Sequence, residues 1–194
     1  MYREYPGHNG PVHSAAKASR RHDLTAARLA RPADAIEAAR RDVCAAVLER
    51  RAAAAWRCVG AYIPMRTEPG STALLDGLTQ AGVRVLVPVL LADRDLDWAE
   101  WDATSQRAGP PLGAAAIGRA DAVLVPALAV ARDGTRLGRG GGSYDRALRR
   151  TPAGIPVAAL LFEGELVDEL PSDDWDMPVN AVVSPTGWYE LPRG

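Results

Sequence analysis

Arg136-Leu-Gly-Arg-Gly-Gly-Gly-Ser-Tyr-Asp145 closes a longer segment, residues 121–148 (DAVLVPALAVARDGTRLGRGGGSYDRAL), whose reading decides the fold. The segment opens on an unbroken apolar run at 122–126, the pattern of a strand buried on both faces. It ends in a helix expected to start near Ser143 and run to about Arg150. A strand followed by a glycine-rich turn and a helix is a building unit of α/β layers. The turn sets Gly138, Gly140, Gly141 and Gly142 among Arg136 and Arg139. Glycines let a backbone approach an anion and turn its N–H groups inward, and a helix start adds unpaired N–H groups and a positive dipole end. The two arginines can neutralise phosphate oxygens, and Asp145 is placed to hold a divalent cation beside them. This is the chemistry of a cradle for a Mg–nucleotide phosphate. It is not a Walker A loop, since no Gly-Lys-Ser/Thr follows. Nor is it a dinucleotide fingerprint, because the apolar strand lies some ten residues upstream.

Outward from that segment, strands and helices alternate. Ser14 is read as the cap of a helix to about residue 31, broken at Pro32. Asp34 is read as the cap of a second helix through residue 55, with Ile36, Val43, Val47 and Leu48 near helical spacing. Residues 56–63 read as a strand, 71–81 as a helix capped by Ser71, and 83–88, 96–101, 157–162 and 179–184 as strands. Residues 103–118 read mostly as loop. The pattern predicts an α/β fold with a mainly parallel sheet flanked by helices. One domain is expected over residues 14–194, after a disordered tail at 1–13.

Composition narrows the function classes. The chain has 194 residues, 47% hydrophobic and 24% charged, with a net charge of −1. That balance argues against a nucleic-acid scavenger or a polybasic membrane binder. No apolar run reaches the ~18 residues of a membrane span, and the first residues lack the apolar heart of a secretory signal. Cys44 and Cys58 are too few for a disulfide framework and read as reduced core thiols of a cytoplasmic protein. Charge is uneven: residues 17–57 hold ten basic against five acidic side chains, and residues 163–176 hold seven acidic and no basic ones. Asp168, Asp173 and Asp174 read as solvated loop charges. Trp98 and Trp101 read as core. His8, His13 and His22 show neither metal spacing nor a nucleophile partner, and receive no role.

The 121–148 segment closely resembles the signature of the 5-formyltetrahydrofolate cyclo-ligase (5,10-methenyltetrahydrofolate synthetase) family. The shared features are an apolar strand ending in Val-Pro, an Asp-Gly turn, Arg-Leu-Gly-x-Gly-x-Gly, and a closing Tyr-Asp. Ser143 stands where the family usually has a first Tyr. The resemblance extends over roughly residues 15 to 185 and includes Lys17-Ala-Ser-Arg-Arg21, similar to the family's N-terminal Lys-x-x-Leu-Arg. Lys17 is the sole lysine of the chain. The resemblance implies a fold similar to sugar-phosphate isomerases and CoA transferases. It also implies ATP contacts from Lys17, Ala18, Ser19, Arg20 and Arg21, and from Arg136, Leu137, Gly138, Arg139, Gly140, Gly141, Gly142, Ser143 and Tyr144.

By the same resemblance, Ile63 packs on a reduced folate and Glu68 binds its pterin ring. A carboxylate suits the paired donors of that N–C–N edge. Arg139, Gly140, Gly141, Gly142 and Ser143 complete the substrate contacts. Asp176 resembles the family's Mg²⁺-assisting Asp and would hold the metal with Asp145, while Asn180 replaces a second Asp of that pattern.

The implied reaction uses ATP and Mg²⁺ to convert 5-formyltetrahydrofolate, with or without a polyglutamate tail, to the 5,10-methenyl form. Lys17, Arg136 and Arg139 would carry the charge work in a monomer that binds neither nucleic acid nor membrane. Two alternatives stay open. One is a non-catalytic nucleotide- or folate-binding paralogue, suggested by Ser143, Asn180 and the lack of a Glu at 108–118. The other is a sugar-phosphate isomerase of related fold, for which Glu68 is the best available base.

Overall fold

The computed structural model describes residues 11–192. α1 (Pro11–Leu29) begins three residues ahead of Ser14, which lies inside the helix and does not cap it; residues 1–10 of the expected tail fall outside the described residues. The inward positions of α1, Lys17, Arg21, Leu24 and Arg28, recur at helical spacing. Three of the four are basic, so this helix turns a charged stripe toward the body. α2 (Ala33–Ala54) follows the break at Pro32, which occupies the cap position without a side-chain hydrogen bond. Asp34 sits in its first turn instead, where a negative charge suits the helix dipole. Its buried face is Ala39, Val43 and Val47.

β1 (Cys58–Gly60) is shorter than the expected 56–63 strand, because the chain leaves the sheet after Gly60. α3 (Thr72–Gln80) is capped as expected: the Ser71 hydroxyl accepts from the Leu74 N–H at 3.2 Å. β2 (Arg84–Leu90) and β3 (Leu96–Asp102) form an antiparallel hairpin. The stretch read as loop instead contains β4 (Arg107–Pro111) and a 3-10 helix (Ala114–Arg119). β4 tolerates its prolines because it is an edge strand, where a missing N–H goes unnoticed. β5 (Ala122–Pro126) is the expected buried strand. β6 (Ala129–Ala131) and β7 (Arg136–Leu137) lead into α4 (Ser143–Leu148). β8 (Val157–Leu160), β9 (Leu166–Val167), β10 (Ala181–Ser184) and β11 (Gly187–Glu190) complete the chain.

Eight strands form one sheet in the order β11-β10-β8-β5-β1-β2-β3-β4. Neighbours from β10 to β2 pair in parallel, while β11, β3 and β4 pair antiparallel at the two sides. The expected mainly parallel sheet flanked by helices is the observed architecture. α2 and α3 cover one face, where Val43, Val47, Leu75 and Leu78 meet Val85, Leu124 and Leu160. On the other face Ile117 and Leu148 meet Val123, Val125 and Trp98. Trp98 and Trp101 are both buried, on opposite faces. Cys44 and Cys58 are free thiols, and burial raises the pKa of each. A second sheet, β7-β6-β9, carries the chain from β5 out to the glycine run. Among the described residues no helix is long and apolar enough to cross a membrane.

Candidate active site

The C-terminal ends of β1, β2 and β5 open onto a cavity of about 860 Å³. The carboxyl edge of a parallel sheet is where loops diverge and ligands have room. The volume suits a ligand of nucleotide or cofactor size. Its walls combine the charged stripe of α1, the loop after β1, the apolar ends of the β2–β3 hairpin (Pro88, Leu90, Leu96), the glycine run, and residues 173–176.

At one end lies Lys17, 6% exposed. Its Nζ donates to Asp173 Oδ2 at 2.7 Å and to Asp176 Oδ2 at 2.5 Å. Burial pulls the ammonium pKa down, but the two carboxylates overcome that and raise it above 10.5, so the lysine stays charged. The Asp173 N–H also donates to Asp176 Oδ2, which fixes the acidic turn. Asp173 was expected to be a solvated charge. It is instead half-buried and paired with the Lys17 ammonium.

The glycine run adjoins it. Gly140 and Gly142 have φ of +99° and +66°, values that side-chain-bearing residues rarely adopt. Arg21 Nε donates to the Gly138 carbonyl at 2.9 Å, tying α1 to the run. A Cβ at Gly138 would stand 2.8 Å from Arg136 Nη1, so only glycine leaves that guanidinium its place. Arg136 donates to Asp145 Oδ1 at 2.8 Å, and the Met177 N–H reaches the same oxygen at 3.1 Å. The guanidinium lies 5.9 Å from the centre of the Tyr144 ring, and burial raises the Tyr144 pKa far above its usual value, keeping the phenol neutral. α4 is only six residues long, so anion attraction here rests on the cations and the loop N–H groups more than on a helix dipole.

Other parts of the lining are apolar. Ile63 and Met65 are exposed at the rim, while Glu68 is 4% exposed. Glu68 Oε2 accepts from the Met65 N–H at 2.8 Å, and Oε1 lies 3.4 Å from Arg139 Nε. Arg139, expected to serve the phosphate, thus also lies beside the buried acid. Tyr62 lines the wall beneath, its hydroxyl buried and its pKa raised by that burial.

Most of the expected site residues therefore meet in one cavity: Lys17, Arg21, Ile63, Glu68 and the run from Arg136 through Asp145, together with Asp176. Ala18, Ser19 and Arg20 do not join them. They are exposed and absent from the cavity walls, because helical spacing carries positions 17 and 21, but not 18 to 20, onto the inner face. Asn180 is likewise spent elsewhere: Oδ1 accepts from the Val157 N–H at 2.8 Å and Nδ2 donates to the Ile155 carbonyl at 2.9 Å. It holds a strand start.

Three further residues escaped the sequence reading: Asp173, Arg28 and Glu165. Arg28, 2% exposed, donates to both Glu165 oxygens (2.8 and 2.6 Å) and to the Ala127 carbonyl (2.6 Å). The signal for Arg28 was available in its spacing from Lys17 and Arg21. Nothing local announces Asp173 or Glu165.

Asp145 and Asp176 both face the cavity, each accepting a cation through one oxygen. Among the described residues no three His, Cys, Asp or Glu side chains gather as a metal cage. Two separate carboxylates fit a small hard cation that takes one or two protein oxygens and completes its shell with phosphate and water.

Fold and cleft together define an α/β protein whose cavity gathers a glycine run and several cationic side chains with apolar residues and one buried acid. The sequence pattern of the 5-formyltetrahydrofolate cyclo-ligase family matches residues 13–185, and the chain belongs to that family. It is 43% identical over 143 residues to the 5-formyltetrahydrofolate cyclo-ligase of Mycolicibacterium smegmatis, covering 66% of this chain and 74% of that protein. The Escherichia coli enzyme of the same name is 29% identical over 150 residues, covering 68% and 80%. The fold is similar to that of 5,10-methenyltetrahydrofolate synthetase from Mycoplasma pneumoniae, with a TM-score of 0.72 at 18% identity over 87% of this chain and 98% of that one. The Aquifex aeolicus synthetase gives 0.70 at 21% identity, covering 92% and 94%.

Proposed function

We propose that the protein converts 5-formyltetrahydrofolate to 5,10-methenyltetrahydrofolate, consuming ATP in the presence of Mg²⁺ and releasing ADP and phosphate. The observation that carries this reading is a single cavity lined both by the cations Lys17, Arg21, Arg136 and Arg139 with the glycine run and by Ile63, Met65 and the buried Glu68. Family membership and the names of the relatives support the same reaction.

The chemistry needs little from the protein beyond placement and charge. The formyl oxygen attacks the γ-phosphorus of ATP and ADP leaves, which turns a poor leaving group into a phosphate ester. N10 of the same folate then attacks the formyl carbon, its proton departs, and phosphate leaves as the ring closes. Because the nucleophile is tethered, alignment replaces a protein nucleophile. Lys17, Arg136 and Arg139 would compensate the charge on the transferring phosphoryl, with the backbone of residues 138–142 as added donors. Asp145 and Asp176 would hold Mg²⁺, which when bound supplies further neutralisation of the phosphates. Glu68 would accept from the pterin edge, and Ile63 and Met65 would cover its apolar body.

Two free thiols suit a reducing cytoplasm. The isomerase alternative would need no ATP, so turnover that depends on ATP separates the two readings. The test is near-UV absorbance of purified protein with 5-formyltetrahydrofolate, MgATP, and each component left out in turn. Methenyl product should grow only with all three present. A flat trace from protein that still binds ATP would reject catalysis and favour the non-catalytic paralogue.

A further inference from the structure

Arg40 stands on α2, outside the walls of the cavity. Its guanidinium is spent on a single turn of the loop in front of it. Nε donates to the Glu68 carbonyl at 3.1 Å, while Nη2 donates to the carbonyls of Met65 at 3.2 Å and Arg66 at 2.9 Å. Three carbonyls from four consecutive residues thus converge on one side chain. Turn carbonyls are obligatory acceptors, and arginine alone offers several donors in one rigid plane. The remaining nitrogen pairs with Glu37 at 2.6 Å. That partner is 59% exposed, and such i,i+3 surface pairs contribute little. The pair with Glu37 does not account for an Arg40 side chain only 16% exposed; the grip on the turn does.

The turn is also closed from within. Met65 N–H donates to Glu68 Oε2 at 2.8 Å, and Glu68 N–H donates to the Met65 carbonyl at 3.0 Å. Arg40 holds this small ring from behind and Glu68 locks it from inside. The result commits Oε2 to the backbone and leaves Oε1 with only the longer 3.4 Å approach of Arg139 Nε, on the cavity side. The rim residues Ile63 and Met65 lie in or next to the gripped turn.

We infer that Arg40 is a positioning residue for the folate end of the site: it orients Glu68 and thereby sets substrate affinity without touching the substrate. The inference rests on the folate reading above. Lysine in its place has no planar fork and can serve fewer of the three carbonyls, so R40K should recover part of the function.

The test compares wild type, R40A, R40K, E68A and the R40A/E68A pair, measuring KM for each substrate and direct binding of 5-formyltetrahydrofolate. R40A should raise the folate KM and Kd about tenfold, since displacing a positioning element by a fraction of an ångström carries penalties of that order. The ATP KM should stay within about twofold, and R40K should fall between R40A and wild type. In the E68A background R40A should add no more than about twofold, because residues acting through one another are not additive. A folate KM unchanged in R40A, a parallel rise of both KM values, or the same tenfold penalty on top of E68A would each overturn the inference. Were R40A to lose its fold, R40K and R40K/E68A make the same comparison with a smaller factor. The two readings fail differently. Wild type that neither turns over nor binds the folate removes the functional proposal, whereas active wild type matched by R40A removes only the role of Arg40.

Discussion

Asp145→Asn should destabilise the protein in the absence of any nucleotide or metal, and the structure sets the size of the effect. Asp145 Oδ1 accepts from Arg136 Nη2 at 2.8 Å and from the Met177 N–H at 3.1 Å. The side chains are 5% and 18% exposed for Arg136 and Asp145. Asparagine can keep an oxygen at that point, so both hydrogen bonds can survive in neutral form; the counter-charge is what disappears. A bond to a charged partner contributes about 1.5–3 kcal/mol against about 0.5–1.5 for a neutral one. Breaking a fully buried ion pair costs about 3–5 kcal/mol. Arg136 keeps the Tyr144 ring and the open cavity beside it, which places the loss near the lower figures, at about 1–3 kcal/mol. For a chain of this length each kcal/mol lowers Tm by roughly 2–4 °C, so a drop of about 3–10 °C is expected. Thermal unfolding followed by circular dichroism in chelator-treated, nucleotide-free buffer measures it. A variant melting within about 1 °C of wild type would refute the reasoning, because an Asp145 that served only a metal would not be missed under those conditions.

Two other perturbations probe what holds the cleft together. Glu165→Ala strands Arg28, 2% exposed, and should cost about 3–5 kcal/mol in urea unfolding; an unchanged midpoint would mean that Arg28 finds another partner. Asp95 ties the β2–β3 hairpin to Arg150 just beyond α4 through bonds of 2.9 and 2.5 Å, and that hydrogen-bonded pairing holds its carboxyl below the ordinary value of 3.8. A depressed folded pKa gives stability that is present above pH 3.8 and lost as pH falls through the folded value. Asp95→Asn should therefore remove about 0.5–1 kcal/mol at neutral pH and narrow the gap to wild type at the acid end; a gap constant down to the lowest pH at which both fold would contradict the assignment.

What could be read in the sequence was local. The apolar run at 122–126, the Ser71 cap and the glycine run each declare themselves within a few residues, and each lies where expected. β4 was hidden by its own prolines, which argue against a strand unless the strand is known to be an edge. β7 and β9 are two residues each and exist only because β6 lies between them. The site divides the same way. Arg136 and Asp145 are nine residues apart and could be proposed as partners. Lys17 and Asp173 are separated by 156 positions, so Asp173 passed for one more solvated acid in a charged run. Ala18, Ser19 and Arg20 read as one contiguous block with Lys17 and Arg21 in the motif, but they lie off the cavity wall because a helix presents only every third or fourth residue to one side.

The hydrophobic pattern that locates the core also explains why α1 is different. Among the described residues neither apolar cluster includes a member of α1, so burial of hydrocarbon does not fix this helix in place. Its inner face is held by polar contacts instead: Lys17 to the two aspartates, Arg21 to the Gly138 carbonyl, and Arg28 to Glu165 and the Ala127 carbonyl. The first two contacts reach the acidic turn and the glycine run, which belong to the cavity itself. The third also involves the cavity wall, through Arg28 and Ala127, and ties it to Glu165, which does not line the cavity. α2 and α3, by contrast, are secured by Val43, Val47, Leu75 and Leu78 against the sheet. Substitutions in that core should act first on stability, and reach the cleft through Tyr62 and Tyr144, which pack in or against the same cluster. Substitutions at Arg28 or Glu165 act on stability and on the placement of Lys17 and Arg21 together. The buried Arg28–Glu165 pair is the point where the fold of this chain and the geometry of its cationic cleft become one problem, because α1 has no apolar seat to fall back on.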